Sequence, residues 1–181
     1  MTAFTEGKLQ FNFPTALSHE KFDDAATHFL SHRMKAVDFI IELPDQIIFL
    51  EVKDPQHPAA TPDATLKFEG DLRSGVLIKE SLRPKCCDSL LYKLVTQDID
   101  PHKPIYYYVL IALDTLSDPE LVNLTDKLKT RLPIVEDRGA VQAKFTAAGK
   151  PARFIQGCMI FNLATWNRMN VRFAASVHRI P

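Results

Sequence analysis

The stretch Val37-Asp38-Phe39-Ile40-Ile41-Glu42-Leu43-Pro44-Asp45-Gln46-Ile47-Ile48-Phe49-Leu50-Glu51-Val52-Lys53 decides the fold. Two apolar runs of strand length flank a turn signal, Leu43-Pro44-Asp45-Gln46, and read as a β-hairpin over 35–54. Side chains alternate along a strand, so Val37, Phe39, Ile41, Leu43, Ile48, Leu50 and Val52 share one face. Asp38, Ile40, Glu42, Ile47, Phe49, Glu51 and Lys53 share the other. Pro44 cannot take the positive φ of the commonest two-residue hairpin turns, which favours a four-residue loop. In that register Asp38 lies across from Glu51, with Cβ atoms roughly 4.5–5.5 Å apart. A three-residue loop would slip the pairing by one, and it is the chemistry of the two acids that selects the register. Acids and an amine on the apolar side of a sheet are costly unless they are paired or hold a metal.

An acid on one hairpin strand followed by Glu51-Val52-Lys53 on the next resembles the PD-(D/E)XK nuclease superfamily, the restriction-endonuclease-like fold. The resemblance covers about 15–115 as a pattern of elements and three residues as chemistry. It implies a single α/β domain over 1–181, with a mixed central sheet flanked by helices. It also implies that Asp38 and Glu51 bind Mg²⁺ or Mn²⁺, that the Val52 carbonyl supplies another ligand, and that Lys53 stands beside the attacking water. One departure is visible, since Val37 precedes Asp38 where the motif often has proline. The literal Pro44-Asp45 belongs to the turn; Asp45 lies on the order of 20 Å along the strand from Glu51, too far to share an ion.

Glu-x-Lys alone carries little weight. Composition predicts about half an occurrence by chance, and a second copy stands at Glu6-Gly7-Lys8. The context supplies the specificity. A surface hairpin with a cross-strand ion cluster, worth under about 1 kcal/mol, is the plainer alternative. Ile40, Ile47 and Phe49 argue against it, because a solvent-facing strand surface would not be so apolar.

With 181 residues, 46% of them hydrophobic, the chain supports one globular domain with a sizeable core. No apolar run is long enough to span a bilayer, and 1–13 lacks the pattern of a secretory signal. Adjacent Cys86 and Cys87 with a distant Cys158 form neither a disulfide framework nor a Cys-x-x-Cys metal pair, so a reducing cytoplasm is expected.

Net charge is zero, but it is unevenly distributed. Residues 1–71 hold 12 acids and 6 bases, whereas 72–181 hold 10 acids and 16 bases. After Asp137 there are bases only, including Arg138, Arg153, Arg168, Arg172 and Arg179. Such a one-sided field suits a phosphate backbone; a solvated tail, or a face pairing with the acidic half, is an equal alternative. Asn162, Trp166, Asn167 and Asn170 among these bases hint weakly at contacts to sugar or base.

The remaining elements follow from pattern. Leu9, Phe11 and Phe13 alternate as an edge strand ended by Pro14. Ser18 reads as the N-cap of a helix burying Phe22, Ala25, Ala26, Phe29 and Leu30. Residues 64–97 read as two helices, the first burying Leu66, Leu72, Val76 and Leu77. The second starts at Pro84 and buries Leu90, Leu91, Leu94 and Val95. A buried strand over 105–113, a helix opened by the capping box Ser117-Asp118-Pro119-Glu120, and a strand over 158–163 complete the set. Residues 137–153 are the expected flexible loop.

On the predicted first helix, Asp24, His28 and His32 share a face. Three residues spread over about 12 Å cannot reach one zinc ion, so solvated histidines are the better reading. The resemblance gives that helix another role, offering an extra acid to the metal; among Glu20, Asp23 and Asp24, Asp24 is preferred. It likewise implies a basic residue of the following helix, Lys85 or Lys93, near the scissile phosphate, with ordinary surface lysines as the plainer reading. Lys85, Lys93, Arg153, Arg168 and Arg172 are the nucleic-acid candidates. The expected activity is Mg²⁺-dependent phosphodiester hydrolysis, on DNA in preference to RNA, by a homodimer or part of a larger complex. The alternative is an inactive nuclease-like subunit that binds nucleic acid or assembles with partners.

Overall fold

The hairpin forms as read, and it sits inside a sheet. The computed structural model describes residues 2–24, 34–96, 98–100, 102–134, 154–169 and 175–181. Strands β4 (Phe39–Glu42) and β5 (Ile47–Lys53) pair antiparallel, Phe39 opposite Leu50 and Glu42 opposite Ile47. Four residues, Leu43–Gln46, connect them, and the Leu43 N–H donates to the Gln46 carbonyl at 2.8 Å. On the far side of β4 runs β3 (Ser18–Lys21), antiparallel; β6 (Ile105–Ile111) and β7 (Ile155–Phe161) follow β5 in parallel. The order is β3-β4-β5-β6-β7.

Parallel neighbours need crossovers, and both crossovers here are helical. Helix α1 (Pro62–Ser74), a π-helical stretch Ile78–Leu82, and α2 (Arg83–Thr96) link β5 to β6; α3 (Asp118–Lys129) lies between β6 and β7. Leu72, Ile78, Leu82, Cys86, Leu121 and Leu124 from these helices pack on the sheet face that carries Ile40, Ile47, Phe49, Tyr107 and Val109. The α3 start follows its sequence signal: the Glu120 carboxylate accepts from the Ser117 N–H at 3.0 Å and hydroxyl at 2.8 Å.

The opposite sheet face, with Phe39, Ile41, Ile48, Leu50 and Val52, is covered by a second sheet. Its strands are β1 (Thr2–Glu6), β2 (Leu9–Phe13) and β8 (Ser176–Arg179), in the order β1-β2-β8, and α4 (Leu163–Met169) brings the fully buried Trp166 against it. The second Glu-x-Lys copy is the β1–β2 turn, where Gly7 takes φ +54°, a conformation that side chains with a Cβ rarely adopt. The protein is thus a mixed α/β domain with two sheets and four α-helices among the described residues.

Several expectations need correction. The helix at Ser18 is absent over its first turn: Ser18–Lys21 is strand β3, whose backbone groups pair with the open edge of β4. Nothing in an exposed polar edge strand shows up as periodicity, and Ser18 imitates a cap. Residues 25–33 lie outside the described residues. Strand β2 is the centre of its sheet and not an edge. Leu66, Val76, Leu91 and Val95 are exposed, and the buried stripe is Leu72, Ile78, Leu82, Cys86 and Leu90. The π-helical stretch Ile78–Leu82 adds two of these buried residues, Ile78 and Leu82, between the two α-helices.

Candidate functional site

Asp38 precedes β4 by one residue, where the β4–β5 ladder has stopped. Its side chain completes the pairing: Oδ2 accepts from the Val52 N–H at 2.6 Å. Its backbone carbonyl accepts from the Phe22 N–H on the β3 side at 2.8 Å. The carboxylate is therefore fixed between two strands with Oδ1 left to face the helices.

Glu51 is fully buried, and Asp38 is 5% exposed. Both meet one ammonium: Lys85 Nζ on α2 lies 2.9 Å from Asp38 Oδ1 and 2.8 Å from Glu51 Oε1. Lys53 Nζ stands 2.5 Å from the same Glu51 oxygen. The three sequence-predicted residues Asp38, Glu51 and Lys53 thus converge on the helix-covered face, and the surface-hairpin alternative fails because the cluster is buried. Both ammoniums are thus within ion-pair distance of Glu51 Oε1. Glu51 Oε2 has no hydrogen-bond partner among the described residues. Burial, and then the charge of Asp38, push the Glu51 carboxyl up to about 7 against the pull of Lys53 and Lys85. Lys85 moves up as well: burial alone would lower it, but the Glu51 and Asp38 charges outweigh that.

The helix is anchored on both sides of Lys85. Tyr107, fully buried on β6, donates its hydroxyl to the Leu82 carbonyl at 3.0 Å, at the end of the π-helical stretch. Ser89 Oγ accepts from the Val37 N–H at 3.0 Å, just ahead of Asp38. Tyr107 escaped the sequence reading because it looks like one more aromatic in a β-strand; its two neighbours, Tyr106 and Tyr108, look the same.

The other candidates go elsewhere. Lys93 is not a surface lysine. It is buried, its ammonium 2.8 Å from both Glu20 Oε2 and Asp98 Oδ2, beside a cavity of about 130 Å³ also lined by Ser18 and Glu42. Glu20 is thereby engaged away from the acid pair, and Asp23 pairs with Lys21 at 2.9 Å. Asp24 is exposed in the bend after β3. No three His, Cys, Asp or Glu side chains converge to hold a metal among the described residues. His28 and His32 lie outside the described residues, as do Arg138, Arg153, Asn170 and Arg172.

The basic carboxyl-terminal residues that are described are not unopposed. Arg168 pairs with Asp118 at 2.8 Å, and Arg179 holds Asp54 through two bonds of 2.9 and 2.7 Å. Asn162 caps α4, its Oδ1 accepting from the Thr165 N–H, while Asn167 bonds both backbone groups of Val177. Asn162 and Trp166 are buried and present no surface for bases, whereas Asn167 is exposed. No helix among the described residues is long and apolar enough to cross a membrane.

Comparison of the chain with protein-family models, with curated proteins and with solved structures found no match.

Proposed function

We propose that the protein is a metal-dependent phosphodiesterase, a nuclease of PD-(D/E)XK type acting on DNA in preference to RNA. The observation that supports this reading most is Glu51: a wholly buried carboxylate with one oxygen unsatisfied, facing a second acid across a hairpin. Such a group is costly for a fold to keep unless it is paired or binds something, and the two ammoniums that pair with Oε1 leave Oε2 unmet. The donor set suits Mg²⁺ or Mn²⁺, hard ions that take oxygen ligands and need only one or two carboxylates alongside water. Asp38, Glu51 and the Val52 carbonyl would hold the ion, which when bound would acidify a water and offset charge on the phosphoryl oxygens.

The protein supplies the remaining parts. Asp38 is oriented by the Val52 N–H, so its position needs no metal. Lys53 keeps a quarter of its side chain exposed, which lets its ammonium face an incoming water or the developing charge. The partner on this reading is nucleic acid, with a second copy or a larger assembly providing the other cut in a duplex.

The Lys85 bridge favours a second reading: an ion cluster closed by lysine, in an inactive nuclease-like subunit that binds nucleic acid or assembles with partners. Plasmid nicking in Mg²⁺ or Mn²⁺ separates the two. Wild type is expected to nick, and Asp38→Asn, Glu51→Gln and Lys53→Met each to lose about a hundredfold or more. Equal cleavage by all four proteins would remove these residues from the chemistry, and no cleavage by wild type would leave the inactive subunit.

A further inference from the structure

The position of Lys85 carries an inference about how the site is regulated, and it rests on the reading of Asp38 and Glu51 as metal ligands. One ammonium touches both acids, at 2.9 and 2.8 Å, from a side chain that is 17% exposed. Its backbone is anchored, since the Tyr107 bond to Leu82 and the Ser89 bond to Val37 hold α2 before and after it. The side chain is different: four flexible methylenes end in a strongly hydrated point charge that has a route to solvent. An ammonium and a divalent ion cannot share the same two oxygens, because like charges about 3 Å apart in a poorly polar site repel strongly.

We propose that Lys85 is the site's own resident cation. In the metal-free protein it neutralises Asp38 and Glu51 and keeps their side chains in register. Metal entry swings its ammonium outward, so the ion must displace a bound charge and affinity is held below what the two acids alone would give. No bond is made or broken; one cation replaces another.

Mn²⁺ titration followed by the paramagnetic resonance of the free ion, at fixed pH, tests this with wild type, Lys85→Met and Asp38→Asn. Lys85→Met is expected to bind Mn²⁺ about tenfold or more tighter than wild type, and Asp38→Asn to lose the site. Equal or weaker binding by Lys85→Met, with Asp38 still required, overturns the competition but leaves the metal site standing. Binding that ignores Asp38→Asn, or no binding by any of the proteins, removes the metal site and the competition with it. Should Lys85→Met not fold, amine acetylation of wild type read by mass spectrometry decides. Lys85 labelling is expected to rise when Mn²⁺ is added while the buried Lys93 stays unchanged, and a flat Lys85 response with Mn²⁺ bound overturns the displacement.

Discussion

Glu51 is the residue at which stability and chemistry oppose each other. Its carboxyl holds a proton more tightly when folded, at about 7, than the ordinary value of 4.5. Between those values the folded state carries the extra proton, so stability falls as pH rises through the window. Lys85 stays charged throughout that range and does not alter the slope. In the presence of a chelator, wild type is expected to lose on the order of 2–3 kcal/mol between pH 4.5 and 7 from this group. Glu51→Gln should flatten that part of the profile, measured by denaturant unfolding at several pH values; an unchanged slope would contradict the burial described here. At this scale much of the site was legible. Strand alternation puts Asp38, Glu51 and Lys53 on one face, and the chemistry of the two acids selects the register that sets Asp38 opposite Glu51. The partner that joins them was legible only in part: Lys85 reads as a base near the scissile phosphate or as a surface lysine, and its bridge between the two acids depends on the phase of α2.

That phase belongs to the element scale. A π-helical stretch adds a residue to the turn, and here Tyr107 bonds the carbonyl at its end. Tyr107→Phe keeps the ring and deletes the bond, and is expected to cost about 1–2 kcal/mol in thermal or denaturant unfolding. The same change should loosen the hold on α2 and so lower the order of Lys85; no loss of stability would mean the bond is dispensable. The elements themselves divide by how their sequence advertises burial. Strand β6 is an unbroken apolar run, β5 opens with one over Ile47–Leu50, and α3 has its capping box, so all three were readable. Strand β3 has none of these marks, since its four residues face mostly outward and its place is dictated by the free edge of β4. Helix α2 misled for a different reason: Ser89 and Lys93 lie on its buried stripe because each has a specific partner, and hydrophobicity alone cannot find such positions.

At the scale of the whole molecule, the second sheet is the part that the sequence did not reveal. Its pairing of β2 with β8 joins segments from the two ends of the sequence, and no local pattern carries that information. Arg179 ties the small sheet to the functional strand: it holds Asp54, the residue after Lys53, and also bonds the Ala112 carbonyl at 3.2 Å. Paired guanidinium bonds of this kind are stronger than ordinary surface bridges. Arg179→Met is expected to destabilise the protein by about 1–3 kcal/mol, read as a lower unfolding midpoint, and an unchanged midpoint would show that the small sheet is held by packing alone. The β2–β8 pairing also sets an order of events. While the chain is being made, Leu9, Phe11 and Phe13 emerge long before β8, the strand that closes their open side. Until then β2 presents an apolar strand with unpaired backbone groups, which is the kind of surface that chaperones capture and that seeds association between unfinished chains.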